Sequence, residues 1–446
     1  METFEYVFAG LCVVHFGWSY YWTCYRKGYS MDVWHWALLW NLFAIHIMLP
    51  FSRSDLNIFA LGTGLLRRTQ AHITEAYAIT AVGYVAVLAG GQMWRLHSGL
   101  GLRSTAAGLL KLPGKGVLAL LNSKRLLRLH AAAAAAAMAG IILLYWRIMG
   151  YGMDAGSILI ANPSIRPFGQ FSLFYGTMIA SYTLIRAVRF READMIALTV
   201  ALFLELALFG SRSSLMNVAV GLLLVGMIRM GPRLKPYWIV IGAMAGLFLA
   251  IFLDALRSPN FSIQRMLAGL TLGIFYGNSF SDVRDFAVVL SFWDGTFFWG
   301  KTYLAGLLAF VPQVLSSFRA HWAIGVVTAG MAGFDSTKHP GLRVGISGEA
   351  YFNFGWVGVV AVGLFAGAVV RLVDSETKRA IRLLPTENLR AYSFWVVLIL
   401  VGVAENTSGA STVYTTFLIL WISWLLVRVF GEDEGLVRGR QGRGAS

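Results

Sequence analysis

The residues best suited to chemistry are cationic and sit against apolar segments. Arg212 lies in Gly210-Ser211-Arg212-Ser213-Ser214, a polar break between two apolar runs. Ser213 or Ser214 can cap the helix that follows, which sets backbone N–H groups beside a guanidinium. Such a corner favours phosphate or pyrophosphate. The plainer alternative is an arginine snorkelling to a membrane interface. Downstream, the stretch 254–349 carries Arg257, Arg265, Arg284, Lys301, Arg319, Lys338 and Arg343 against Asp282, Asp285, Asp294 and Asp335, with His321 and His339 among them. Arginine suits an anionic ligand because its planar fork grips two phosphate oxygens at once; the alternative is that these side chains hold lipid head groups. His339 offers an imidazole that accepts a proton near neutrality. Glu349 closes the stretch, either as a second base or as a carboxylate favouring the dipole of the helix it starts. There is no GxSxG elbow, HExxH or Walker A sequence, and no Asp-x-Asp pair with a glycine-rich nucleotide site. Nucleotide-driven and metal-hydrolase chemistry thereby lose support.

What must position these groups is a set of membrane helices. Of 446 residues, 57% are hydrophobic and only 13% charged, with a mean hydropathy of +0.65. Soluble domains carry about 25% charged residues. Apolar runs long enough to cross a bilayer recur throughout, without the short alternating segments of a β-barrel. The expected fold class is an all-α polytopic integral membrane protein. Spans are expected at 6–24, 33–50, 72–94, 129–149, 168–186, 194–211, 213–230, 237–254, 349–370, 391–408 and 411–430, about eleven crossings within a range of ten to twelve. The first run lacks a basic start and a small-residue cleavage site and is read as a span, not a signal peptide. Cys12 and Cys24 both fall in it and give neither a disulfide framework nor a metal-ligand spacing.

Charge orients the spans. The segments around Arg26, 95–128, 186–191, 229–235, 371–390 and the tail from Arg428 hold 24 of the 37 Lys and Arg. All fall on one side, which is then the cytoplasm. The N-terminus is expected outside and the C-terminus inside. The net charge of +15 follows from this retention, so nucleic acid is not an expected partner. A single transmembrane domain covers 1–430, with a basic cytoplasmic loop at 95–128, a large outer loop at 255–348 and a disordered cytoplasmic tail at 431–446. Loop 51–71 can hold an interfacial helix over Leu56–Leu66. The apolar parts 266–275 and 303–314 of the large loop are too short to cross singly and suit helices lying on or dipping into the membrane. The loop would roof a cavity in which a lipid-linked anion keeps its tail in the bilayer and its head under the arginines. Glu205, two turns before Arg212, needs a partner or a proton. The break Glu405-Asn406-Thr407-Ser408-Gly409 can border the same cavity, and His46 reads as a buried structural group.

Four features together resemble the Wzy-type polymerases of lipid-linked oligosaccharide repeat units, relatives of the O-antigen ligases. They are the Gly210-Ser211-Arg212 turn, the 280–290 segment with Arg284-Asp285, the 303–312 segment ending Phe310-Val311-Pro312, and the His339–Gly355 run. The resemblance covers roughly 195–430; the preceding half matches in span layout only. It implies a GT-C-type architecture in a bacterial inner membrane and a metal-independent, inverting glycosyltransferase without cofactor. It further implies undecaprenyl-pyrophosphate-linked oligosaccharides as substrates, membrane lipids around them, and a chain-length regulator and a flippase as partners. Arg212 matches the family's turn arginine at the pyrophosphate, and His339 resembles the loop histidine of the ligases. Arg257, Arg284, Asp285, Arg319 and Arg343 are the remaining binding candidates, and His339 and Glu349 the catalytic ones. Arg319 with Gly330 fits an arginine–glycine spacing of some members, whereas Glu405-Asn406 stands where some relatives carry an arginine. A transporter of lipid-linked sugars and a ligase-like transferase are the alternatives. Replacement Arg212→Ala is expected to abolish polymer while the protein still reaches the membrane; polymer of normal amount and length from this variant would refute the pyrophosphate role.

Overall fold

The computed structural model describes residues 2–97, 123–149, 166–190, 192–208, 237, 241, 264, 275–276, 280–308, 311, 315–336 and 341–383. Every regular element among the described residues is helical. In order they are α1 (Glu2–Thr23), α2 (Val33–Asn41), which continues as a π-helical turn (Leu42–Ile47), α3 (Leu49–Ser52), α4 (Ile58–His97), α5 (Lys124–Met149), α6 (Arg166–Phe190) and α7 (Ala193–Leu208). The loop helices α8 (Asp282–Leu290), α9 (Lys301–Leu307), α10 (Ser317–Trp322) and α11 (Ile324–Met331) follow, then α12 (Gly345–Leu383).

Among the described residues, three stretches are long and apolar enough to cross a membrane: Leu61–Trp94, Lys124–Leu144 and Gly345–Ser375, with Val33–Ile47 apolar but shorter. The expected spans at 6–24, 33–50, 72–94, 129–149, 168–186, 194–211 and 349–370 each overlap a helix. Those at 213–230, 237–254, 391–408 and 411–430 lie outside the described residues, apart from Tyr237 and Ile241. A separate helix over 56–66 does not form. Helix α4 starts at Ile58 and breaks only at Gly62 (φ 70°, ψ 167°), so residues 63–71 continue into the 72–94 span.

Local sequence explains the boundaries. Asp32 starts α2 by accepting a hydrogen bond from the His35 backbone N–H at 2.8 Å, as an N-cap should. Alanine, the strongest helix former, fills 131–137 of α5. Helices α5, α6 and α7 pack on one another. Their polar ends are joined by Lys124 and Arg128 to Asp194 and by Arg186 to Glu192.

Among the described helices, the most extensive packing is between α4 and α12. A Cβ on Gly90 would lie 2.0 Å from the Leu364 carbonyl oxygen, and one on Gly367 would lie 2.0 Å from that of Val87. Val359, Gly363 and Gly367 meet Gly83, Ala86 and Val87 in rising order, so the two helices run parallel. The head of α12 departs from this line at Gly355 (φ 62°, ψ −151°), a conformation natural to glycine. A Cβ on Gly83 would meet both Ser347 (2.0 Å) and Val359 (3.5 Å). In an unbroken helix those two residues would be about 18 Å apart. Residues 345–354 therefore fold back on the start of 356–383. This short arm is too short to cross a bilayer.

The polar contacts gather at the two ends of this group. Glu5 of α1 pairs with Arg53 after α3, at the end where α4 and α12 begin. Asp32 ahead of α2 pairs with Lys378 near the end of α12. Replacing Gly90 by Ala is expected to cost about 1–3 kcal/mol through overpacking, because the obstacle is backbone. Gly140→Ala in α5, where a Cβ meets nothing within 4 Å, should be neutral or slightly stabilising. Thermal unfolding of the two variants in detergent checks this, and equal midpoints would refute the seam.

Candidate functional site

At the head of α12, Glu349 is 1% exposed. Its Oε1 accepts a hydrogen bond from Thr302 Oγ1 of α9 at 2.8 Å. Asn353, one turn further along the arm, donates through Nδ2 to Thr302 Oγ1 (2.6 Å) and to the Glu349 carbonyl (2.8 Å). Its Oδ1 accepts from the Gly300 N–H at 2.8 Å, and its carbonyl from the Trp299 N–H at 3.2 Å. One asparagine thus fastens the start of α9 to the arm that carries the carboxylate. Aromatic packing fixes the same arm: the Phe352 ring meets Phe286 (5.4 Å, 88°), Trp293 (5.4 Å) and Phe298 (5.9 Å). Tyr303 stacks on Phe354 at 6.1 Å, and its hydroxyl is buried with no hydrogen-bond partner among the described residues. Burial, then the nearby Glu349 charge, push that phenol well above its usual range.

Arg284 and Asp285 come together on α8, but as a brace. Arg284 is 3% exposed. It donates to Asp285 Oδ1 (3.0 and 3.2 Å), Asn57 Oδ1 (3.2 Å) and the Tyr276 carbonyl (2.7 Å). Ser281 Oγ donates to Asp285 Oδ2 at 2.7 Å. Asn57 in turn donates to the carbonyls of Phe51, Ser52 and Ser54 at 2.8–3.0 Å. The chain pins α8 to the α3–α4 turn, and the guanidinium faces protein acceptors.

The other described cations of this stretch lie around the short loop helices and just ahead of α12. Ser316 caps α10 by accepting from the Arg319 N–H at 3.2 Å. The half-buried Arg319 guanidinium donates to the Val311 carbonyl, and burial lowers its proton affinity. Lys301 lies over the Trp322 ring at 4.3 Å, whose neighbour His321 is exposed. Arg343 is exposed just ahead of α12. Arg212, Arg257, His339 and the Glu405-Asn406 break lie outside the described residues. Glu205 on α7 has its Oε2 buried with no hydrogen-bond partner among the described residues. His46 is structural as expected: its Nδ1 meets Tyr77 Oη at 2.9 Å inside a cage of Phe8, Tyr77 and Tyr84 rings.

A second polar cluster, at the other end of α12, escaped the sequence reading. Cys24, Asp32 and His35 bring one ligand-type atom each within 4.8 Å, all buried, although their spacing announces no metal site. Each already faces the protein. Cys24 Sγ points to the Tyr29 carbonyl at 3.5 Å, His35 Nδ1 faces Asp32 Oδ1 at 2.6 Å, and His35 Nε2 sits between the Ser19 and Thr23 hydroxyls at 3.1 and 3.2 Å. Lys378 bridges Asp32 Oδ2 (2.5 Å) and Asp374 Oδ2 (2.8 Å). Burial works to raise the Asp32 carboxyl, but the His35 hydrogen bond and the Lys378 ammonium hold it well below the usual carboxylate range. Trp34 ties in through its N–H to Asp374 Oδ1 (3.4 Å) and through its ring under Arg371 (4.6 Å). This is a latch between α2 and the end of α12.

Thr302 and Asn353 were likewise missed. A signal existed for Asn353, which falls four residues after Glu349 and so on the same helix face. None existed for Thr302, forty-seven residues away in sequence from the carboxylate it serves. No protein-family model, curated protein or solved structure matches the chain.

The brace makes a separable prediction. Arg284→Ala leaves Asp285 buried without its cation and should destabilise by about 3–5 kcal/mol, whereas Arg319→Ala on the half-exposed α10 should cost far less. Unfolding midpoints and membrane yield report the difference; an Arg284→Ala protein as stable as the parent would show that this arginine is not structural.

Proposed function

We propose that the chain is a polysaccharide polymerase, an inverting glycosyltransferase that transfers a growing glycan from undecaprenyl pyrophosphate to a lipid-linked repeat unit. The product is an O-antigen, exopolysaccharide or similar polymer. The observation that carries this reading is the buried Glu349 carboxylate, held by Thr302 and Asn353 where the arginine-bearing loop joins α12. In this reading about eleven helices of a GT-C-type architecture cross a bacterial inner membrane, with the N-terminus in the periplasm and the C-terminus in the cytoplasm. The loop 255–348 faces the periplasm. The parallel course of α4 and α12 agrees with both running from the outer to the inner face.

The chemistry is a displacement at the anomeric carbon. The acceptor hydroxyl oxygen bonds to that carbon from the face opposite the pyrophosphate. The carbon–oxygen bond to pyrophosphate breaks, and its electron pair stays on the pyrophosphate oxygen. The hydroxyl proton passes to Glu349 or His339. Guanidinium groups meet the charge that develops on the leaving group, with Arg212, Arg257, Arg319 and Arg343 as the candidates. Arg284 and Asp285 serve the site by position, since the buried pair holds α8 in place. Charge stabilisation comes from arginine in this scheme, and no cofactor takes part.

Cells lacking the protein should lose long glycan chains while single repeat units still reach the surface. Accumulation of units on the cytoplasmic side would instead identify a transporter, and normal but unattached polymer a ligase. Among single variants, Glu349→Gln and His339→Ala assign the base: the true base should lose about 10²–10⁴-fold in rate, and full activity of both variants would refute this mechanism.

A further inference from the structure

We infer that Thr302 and Asn353 are positioning residues that keep Glu349 a proton acceptor, by imposing a one-way order of hydrogen-bond donors that ends on its Oε1. The inference rests on the reading of Glu349 as the base of the proposed transfer.

The order follows from groups that have no choice. The Gly300 N–H can only donate, so the amide atom of Asn353 facing it at 2.8 Å is the oxygen. The Glu349 carbonyl can only accept, so the amide atom facing it at 2.8 Å is the nitrogen. Two independent partners therefore fix the same amide orientation. The nitrogen also donates to Thr302 Oγ1 at 2.6 Å, which occupies an acceptor position of that hydroxyl. Threonine has a single hydroxyl proton, and its other close partner is Glu349 Oε1 at 2.8 Å. The proton lies on that line, and Oε1 accepts it. Thr302, Glu349 and Asn353 are all within 1% of full burial, so water does not compete for these bonds. A donor aimed at a carboxylate favours its ionised form against burial and fixes the Oε1 end of the group in one orientation.

Among the described residues, the elements packed around Glu349 bring further titratable groups. Helix α9 contributes Tyr303, held uncharged by burial, and the exposed Lys301. Helix α8 contributes Asp282 and the internally paired Arg284 and Asp285. Arg343 precedes the arm, and α11 carries no titratable residue. Helix α4 contributes Arg68, over the Phe292 ring at 4.9 Å, and His72 and Glu75, 3.3 Å apart and partly exposed; Glu75 lies beside Tyr351 of the arm. Because Glu75 borders the arm, a Glu75→Gln control is needed.

The test uses membrane vesicles holding the full chain and the cell's own lipid-linked repeat units, with polymer formation followed against pH. Thr302→Val keeps the shape and removes the donor. It should lower the rate about tenfold or more and move the acid limb of the profile to higher pH by about one unit, the scale of one hydrogen bond to a charged group. Thr302→Ser should restore both, Thr302→Cys should fall between, and Asn353→Asp, which replaces the donor with a second carboxylate, should shift the limb further. Glu75→Gln should leave the limb where it is. An unshifted limb in Thr302→Val or, should that variant not reach the membrane, in Thr302→Cys, overturns the inference. A fully active Glu349→Gln would instead overturn the assignment of the base, so the two failures are told apart.

Discussion

In a bilayer, apolar side chains gain little by leaving lipid for one another, so helices associate through close packing and polar contacts. Helices α4 and α12 meet this constraint with glycine facing backbone at Gly90 and Gly367. Neither position has room for even a methyl group. The loop helices are anchored to this seam. The short arm 345–354 folds back at Gly355 and lays Ser347 against Gly83 of α4, and α8 packs on α4 beside it. Glu349 and the Arg284–Asp285 pair are thereby referred to one rigid helix although they arrive from different parts of the loop.

Polar groups close the same assembly at its ends. Burying an ion pair is unfavourable unless geometry and extra hydrogen bonds are complete, and both networks meet that condition. At one end Arg284 divides its donors among Asp285, Asn57 and Tyr276. At the other, Lys378 joins Asp32 to Asp374 while His35 takes the remaining Asp32 oxygen. The first joins the loop to the α3–α4 turn and the second joins α2 to the tail of α12. Sliding α12 along α4 would break charged contacts as well as the seam.

The helical class was legible because apolar runs of bilayer length survive any detail of packing, and each expected span within the described residues overlaps a helix. Boundaries were less legible. Residues 56–66 look too short for a span, yet from Ile58 onward they belong to α4, interrupted only by the kink at Gly62. Within the site, Glu349 and Arg284 could be picked out as charges near membrane segments, but their partners could not. Asn57 is 227 residues from Arg284, and Lys378 is 346 from Asp32. Nothing local distinguishes Thr302 from any threonine opening a short helix. Charge alone marks a residue as significant without saying whether it meets a ligand or the protein.

That distinction bears on how a pyrophosphate would be held. A guanidinium has five donors in a fixed fork, and its value to an anion depends on how many still face outward. Those of Arg284 face an aspartate, an asparagine and a carbonyl inside the protein, so drawing it onto a ligand would dismantle the brace that positions α8. Arg319 has one donor on the Val311 carbonyl and lies half-buried beside the Lys301–Trp322 pair, and Arg343 is exposed at the threshold of the arm bearing Glu349. On the proposed reading, the leaving group is then met from the arm and from the Arg212 turn, while the buried arginine keeps the loop in register. On the same reading, a braced cation and substrate-facing ones divide the labour within the basic loop: Arg284 balances a buried aspartate, and the others are assigned to the substrate.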